Sequence, residues 1–237
     1  MLDQQSFQWA FDVLRQLATR QDGPMDGLNL DRTIDETCND AGYLHLEFDR
    51  PRTNDIKVMV PFDSGGSMIP YTRLCTQLFQ ADNRANNVKD LRIYYFHNYW
   101  YSELYTGPRC IYGESVPTQW IINNLSRDYK VIVVGDASMA PSELTWVGGS
   151  SYYNRYNAET GLTWLHRFTN RFVKMVWFHP IPEAMWEYDY GYQTIEMLRH
   201  NVVMYHLTVE GLGRGPKNLV IPPSDARTHP HATPPLP

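Results

Sequence analysis

Residues Ile56–Ser67 read IKVMVPFDSGGS. Ile56 to Phe62 is a near-continuous apolar run, the pattern of a strand buried on both faces of a sheet rather than one. Such a strand sits at the centre of its sheet and requires other layers above and below it. The run stops at Asp63, and two glycines bracketed by Ser64 and Ser67 follow. A strand delivering a carboxylate to a tight, hydroxyl-bearing turn is the feature that has to be explained.

The flanking sequence supplies the layers. Leu91–His97 (LRIYYFH) reads as a strand, Asn98 as a turn, and YWYSELY alternates, so Leu91 to Tyr105 is expected to form a hairpin. TQWIINNLS from Thr118 is helical in pattern, KVIVVGD is a second buried strand, and AETGLTWLHRFTNRF is a helix leading into a third strand, KMVWFHP. YQTIEMLRH and VVMYHL repeat the alternation of helix and strand. The expected fold is therefore α/β, a three-layer Rossmann-like arrangement. Its sheet is mostly parallel with an antiparallel edge strand, and helices cover both faces.

Upstream, Phe7, Ala10, Phe11, Leu14 and Leu17 recur at helical spacing, predicting an amphipathic helix over 6–20 that Gly23 and Pro24 end. A short helix capped by Asp31 or Thr33 and stopped by Gly42 is expected next, then a strand from Tyr43 to Phe48. Leu74, Leu78 and Phe79 suggest a further helix reaching Ala81. From Pro222 the chain is proline-rich and cannot bury a core, so a disordered tail is expected, with His229 and His231 solvated.

Composition narrows the function. The 237 residues carry a formal net charge of −5, and no Lys/Arg cluster provides the electrostatic footprint of a nucleic-acid binder. Cys38, Cys75 and Cys110 have no metal-clip spacing and read as reduced packing residues. No apolar run approaches the roughly 18 residues needed to span a bilayer, and the opening stretch lacks the order of a signal peptide. A cytoplasmic location without a membrane span is the expectation. The aromatic content of 14% is high and suits bulky packing or a contact surface, with GGSSYYNRYN and EAMWEYDYGYQ as candidates.

Chemistry is expected beyond the carboxyl ends of the strands, where ligands bind in open α/β sheets. Two central-looking strands end in aspartate, Asp63 and Asp136, with Ser64, Ser67 and Ser138 beside them. Either aspartate alone reads as a helix cap. Together, two like charges call for a counter-charge, and a hard divalent cation suits carboxylates and hydroxyls better than zinc does.

These residues resemble the CoxE-like family of von Willebrand factor type A (VWA) proteins, whose metal-ion-dependent adhesion site (MIDAS) begins with an Asp-x-Ser-x-Ser loop. FDSGGSM stands where the family has a similar loop, and TIDETCNDAGYLHL, YYFHN, DYKVIVVGDASMAPSEL, WLHRFT, VWFHPIPEAMWEY and LTVEGL follow the family's order from about Asp31 to Gly213. The resemblance implies a VWA domain over 31–221, preceded by a helix and linker over 1–30 and followed by the tail over 222–237. It implies a metal held by Asp63, Ser67, Thr118 and Asp136, with Mg2+ expected, or Mn2+ or Ca2+. Gly65 replaces the loop's first serine, so the site is degenerate. It further implies a non-enzymatic interaction module that works with a MoxR-type AAA+ ATPase to assemble or mature a client presenting an acidic residue. The ATPase would be a separate protein, because the sequence has no phosphate-binding loop ending in Lys-Ser or Lys-Thr.

Two other functions compete. One is a metal-free structural subunit of a larger assembly. The other is a serine hydrolase built on Ser67, a histidine such as His179, and Asp136, although DSGGSM is not a nucleophile elbow. His97 and His179 read as hydrogen-bonded packing residues, and Glu143 as a solvated loop carboxylate.

Overall fold

The structure is a computed structural model that describes residues 27–41, 43–49, 56–69, 71, 89–151 and 156–219. The helices expected over 6–20 and 74–81, the stop at Gly42 and the tail with His229 and His231 lie outside the described residues.

The first described unit is small. β1 (Gly27–Leu28) pairs antiparallel with β2 (Phe48–Asp49), and α1 (Leu30–Asn39) lies between them in the chain. Its cap is Asn29, whose side chain accepts from the Arg32 N–H, so neither Asp31 nor Thr33 has the expected role. The strand expected over Tyr43–Phe48 shrinks to Phe48, paired through β2. Tyr43, Leu44 and Leu46 alternate with polar residues but are exposed, and alternation makes a strand only where one face has a core to cover.

The principal unit is a seven-stranded sheet of β3 (Lys57–Asp63), β4 (Asp90–Phe96), β5 (Glu103–Tyr105), β6 (Ser115–Pro117), β7 (Lys130–Val134), β8 (Met175–His179) and β9 (Val203–His206). The spatial order is β6-β5-β4-β3-β7-β8-β9, which puts the opening apolar run in the middle position. All neighbours pair in parallel except at β5, which runs against both β4 and β6. The antiparallel strand is therefore one place in from the edge. The edge itself is the three-residue β6, which the sequence pattern had not suggested.

Pro61 lacks an N–H and would ordinarily argue against a central strand. The register with β7 accommodates it: Val58↔Lys130 and Met59↔Val131 pair, pairing is interrupted, and it resumes at Phe62↔Val134.

Successive strand side chains point to opposite faces, so the sheet builds two cores. Met59, Val131, Val133 and Trp177 pack on one face with residues of α2 (Thr118–Asn124), α3 (Pro141–Thr145), α4 (Gly161–Arg171) and α5 (Tyr192–Arg199), among them Ile121, Leu144, Phe168 and Leu198. Val58, Val60, Phe62, Val134 and Phe178 pack on the other with Met68 and with Leu212 of α6 (Val209–Asn218). This is the expected three-layer α/β arrangement. No helix among the described residues is long and apolar enough to cross a membrane.

Candidate functional site

The strand order reverses at β3. From β3 the chain moves outward through β4, β5 and β6, then returns to place β7 on the other side and continues to β8 and β9. The crevice between the carboxyl ends of β3 and β7 is thus the topological switch point, where open α/β sheets bind ligands. Asp63 ends β3, and Asp136 follows β7 by two residues. Pairing of Phe62 with Val134 brings the two carboxylates to the same rim.

Asp63 is 2% exposed, and its Oδ1 accepts from the Gly65 N–H at 2.9 Å and the Asn98 N–H at 3.3 Å. Burial is the main influence on its carboxyl, pushing its pKa up to about 7, and the charges of Asp136 and Glu143 act in the same direction. The two amides oppose the shift without cancelling it. Ser67 lies in the 3₁₀ turn Gly66–Met68, and its hydroxyl donates to Asp136 Oδ2. That contact ties the turn after β3 to the turn after β7.

Asp136 is itself buried, and its Oδ1 accepts from the Ser138 N–H at 3.1 Å. The Ser138 hydroxyl donates onward to Asp189 Oδ1 at 2.6 Å. Gly191 is required beside it: a Cβ there would stand 2.5 Å from the Ser138 Cα. The Asp189–Gly191 turn is thereby held against the rim, with Tyr190 exposed on it and Tyr188 exposed just before it.

Ser64 does not substitute for the missing loop serine. Its hydroxyl turns to the Phe96 carbonyl at 3.1 Å and contacts Cys110 Sγ at 3.1 Å. His97 crowds the place left by the missing serine. A Cβ on Gly65 would lie 2.6 Å from His97 Nδ1 and 3.2 Å from Asp63 Oδ1. Glycine at position 65 is therefore a steric consequence of His97.

Glu143 corrects an expectation. Instead of a solvated carboxylate it is 3% exposed, and it accepts from Asn98 Nδ2 at 3.1 Å while the Ser151 N–H approaches at 3.5 Å. Asn98 adopts φ 60°, a left-handed conformation that asparagine tolerates, and so offers its backbone to Asp63 and its side chain to Glu143. The spacing of Glu143, seven residues from Asp136, leaves a place near the same rim open as the alternative, and α3 brings it there through tertiary packing. His179 is fully buried, and its Nδ1 accepts from the Ile181 N–H at 3.0 Å, in keeping with a packing residue. Burial lowers its pKa, and Asp136 partly offsets that.

Thr118 opens α2 at the end of β6, so β5 and β4 stand between its strand and β3. It is fully buried and its hydroxyl has no hydrogen-bond partner. No hydrogen bond joins it to Asp63, Ser67 or Asp136, which the structure does bring together. Those three are hard oxygen donors of the kind Mg2+ takes, and they fit the ion in donor chemistry. No group of three or more His, Cys, Asp or Glu side chains among the described residues is arranged to hold a metal, so hydroxyls and water would have to complete such a site. No protein-family model matches the chain, and neither the curated proteins nor the solved structures contain a match.

Proposed function

We propose that this chain is a non-enzymatic interaction module of the VWA type, similar to the CoxE-like proteins. It would hold Mg2+, or Mn2+ or Ca2+, on Asp63, Ser67, Thr118 and Asp136 and present the ion to an acidic residue of a client protein, in concert with a MoxR-type AAA+ ATPase. One observation carries the reading: at the switch point Ser67 bridges to Asp136 beside a buried Asp63 whose surroundings offer two backbone amides and two further carboxylates. A divalent cation would offset that concentration of negative charge. When bound, the ion would leave a coordination position for a partner's carboxylate, while His97 and Gly65 limit how many of the chain's own hydroxyls reach it.

The test is thermal unfolding in EDTA and in millimolar MgCl2 or MnCl2, with an Asp63→Ala, Asp136→Ala double variant alongside. A ligand bound only by the folded state at a hundredfold its Kd stabilises by about 2.7 kcal/mol. The parent is expected to melt at a higher temperature with metal and the variant to be indifferent. A parent indifferent to both ions sinks the metal-dependent reading.

A metal-free structural subunit is the second reading, favoured by the engagement of Ser67 with Asp136 and by the ring of His97 at the degenerate position. A hydrolase finds less support, since Ser67 donates to a carboxylate and His179 Nδ1 is occupied by a backbone amide.

A further inference from the structure

The small unit around α1 has two unlike sides. Arg32 pairs with Glu47 at 3.2 Å and with Asp49 at 3.5 Å, and Asn29 Nδ2 donates to Asp49 Oδ2 at 2.6 Å, so one side is charged and hydrogen-bonded. Two threonines fix how α1 meets the chain leading into β2. The Glu47 N–H donates to Thr33 Oγ1 at 3.0 Å, and the His45 N–H to Thr37 Oγ1 at 3.2 Å. Around the helix Arg32 lies to one side of these threonines, while Leu30 and Ile34, four residues apart on one stripe, lie to the other. Glu47 and Asp49 both reach Arg32, so Phe48 between them points the opposite way, as does Leu46 two residues earlier. Leu28 is the cross-strand partner of Phe48 and shares its face.

Leu28, Leu30, Ile34, Leu46 and Phe48 are thereby gathered on the second side, and all five are exposed. Cys38, also exposed, continues the stripe of Leu30 and Ile34. Within α1 only Thr33 is buried, and an isolated pair of strands is marginally stable in water. The described unit therefore presents an apolar surface without a core of its own.

The sequence supplies a complementary surface close by. Phe7, Ala10, Phe11, Leu14 and Leu17 recur at helical spacing over 6–20. A helix of that length is marginal alone and forms by docking its apolar face. Residues 21–26 separate it from β1, a reach of about 25 Å at full extension, which keeps it beside the small unit. Short connections make consecutive helices antiparallel neighbours. The charges agree with such a pairing: Asp31 and Asp35 flank the stripe of Leu30 and Ile34, and Arg15 adjoins Leu14 in the segment, with Arg20 at its end.

We propose that the apolar side of the small unit is the docking surface for the chain's own segment 6–20, which lies along it as an amphipathic helix antiparallel to α1. Leu17 then sits toward Leu30, Leu14 on Ile34 and Ala10 toward Cys38. Each partner supplies the core that the other lacks. The pairing joins far fewer apolar side chains than the sheet does, so it opens well before the sheet and α1 stays among the first segments to exchange. It is independent of any metal at the switch point.

The test is hydrogen exchange, read by mass spectrometry, on the full chain and on the single variants Leu14→Asp and Ile34→Asp, each at low and high protein concentration. Ile34→Asp is expected to speed exchange about tenfold in peptides covering 6–20, and Leu14→Asp to speed it about as much in Leu30–Asn39, the effect of losing one buried apolar side chain. Unchanged exchange in β3, β7 and β8 shows that the sheet is intact in both variants. If each variant alters only its own segment, the pairing is wrong. Protection of 6–20 that falls on dilution would assign the docked helix to a second copy and overturn the pairing within one chain. Cysteine cross-linking reads the direction. With Ala10→Cys, diamide is expected to join position 10 to Cys38 within a monomer, whereas with Leu17→Cys it does not reach Cys38. The reverse pattern would overturn the antiparallel arrangement.

Discussion

At the scale of the residue, Asp63 is the rim carboxylate whose ionisation burial suppresses. Burial first, then Asp136 and Glu143, hold its carboxyl near a pKa of about 7 against an ordinary value of 3.8. The folded chain therefore binds this proton more tightly than the unfolded chain does. Stability is lost as pH rises through about 7 and gained as pH falls below it. His97 and His179 act oppositely, since burial lowers both, and their contribution is lost as pH falls below the ordinary value of 6.5. In EDTA the melting temperature is expected to rise as pH is lowered from about 8 to about 6.5 and then to level off as the histidines oppose Asp63. Asp63→Asn should flatten the first part of that curve and exceed the parent at its alkaline end. A parent that becomes more stable with rising pH across this window would show that Asp63 ionises against a counter-charge. Protons compete with any cation for the same carboxylate, so Mg2+ stabilisation should weaken over the same fall in pH.

At the scale of the element, the rim depends on how the turn after β3 meets the loop after β4. Gly65 and His97 occupy space that only one of them can fill with a side chain. Gly65→Ser is expected to cost about 1–3 kcal/mol in urea denaturation, the usual penalty of overpacking a filled site. Combining it with His97→Ala should recover most of that loss. If a metal binds, the double variant should bind it more tightly than the parent, because a hydroxyl returns to the loop. A Gly65→Ser chain as stable as the parent would mean that the imidazole moves aside without cost. Both aspartates were legible in the sequence because each terminates a strand buried on both faces, and such strands announce themselves as unbroken apolar runs. His97 and Glu143 were not legible in their roles, since a loop histidine and a short-helix glutamate gain them only by packing. β6 is three residues long, too short for any periodicity to register, and the exposed alternation at Tyr43–Leu46 imitated a strand. Thr118 was placed by resemblance alone, and it follows β6, which β5 and β4 separate from β3.

At the scale of the whole molecule, burial is distributed unevenly between the two described units. β7 and β8 are buried at every position, and β3 at all but Lys57. In α1, by contrast, only Thr33 is buried, while Leu30 and Ile34 are 64% and 58% exposed. The antiparallel strand pair that closes its unit is only two residues long on each strand. Local opening takes little free energy where few apolar contacts break, whereas the central strands of a sheet exchange only through unfolding of the core. Hydrogen exchange read by mass spectrometry on the full chain is therefore expected to label Leu30–Asn39 early and the peptides spanning β3, β7 and β8 last. Adding MgCl2 should slow exchange in the turns at Ser64–Met68 and Asp136–Met139, where an ion would tie two strand ends together, and should leave α1 unchanged. Slow exchange in α1 equal to that of β7 would contradict this division, because its exposed leucine and isoleucine would then have to be covered by another part of the chain or by a second copy.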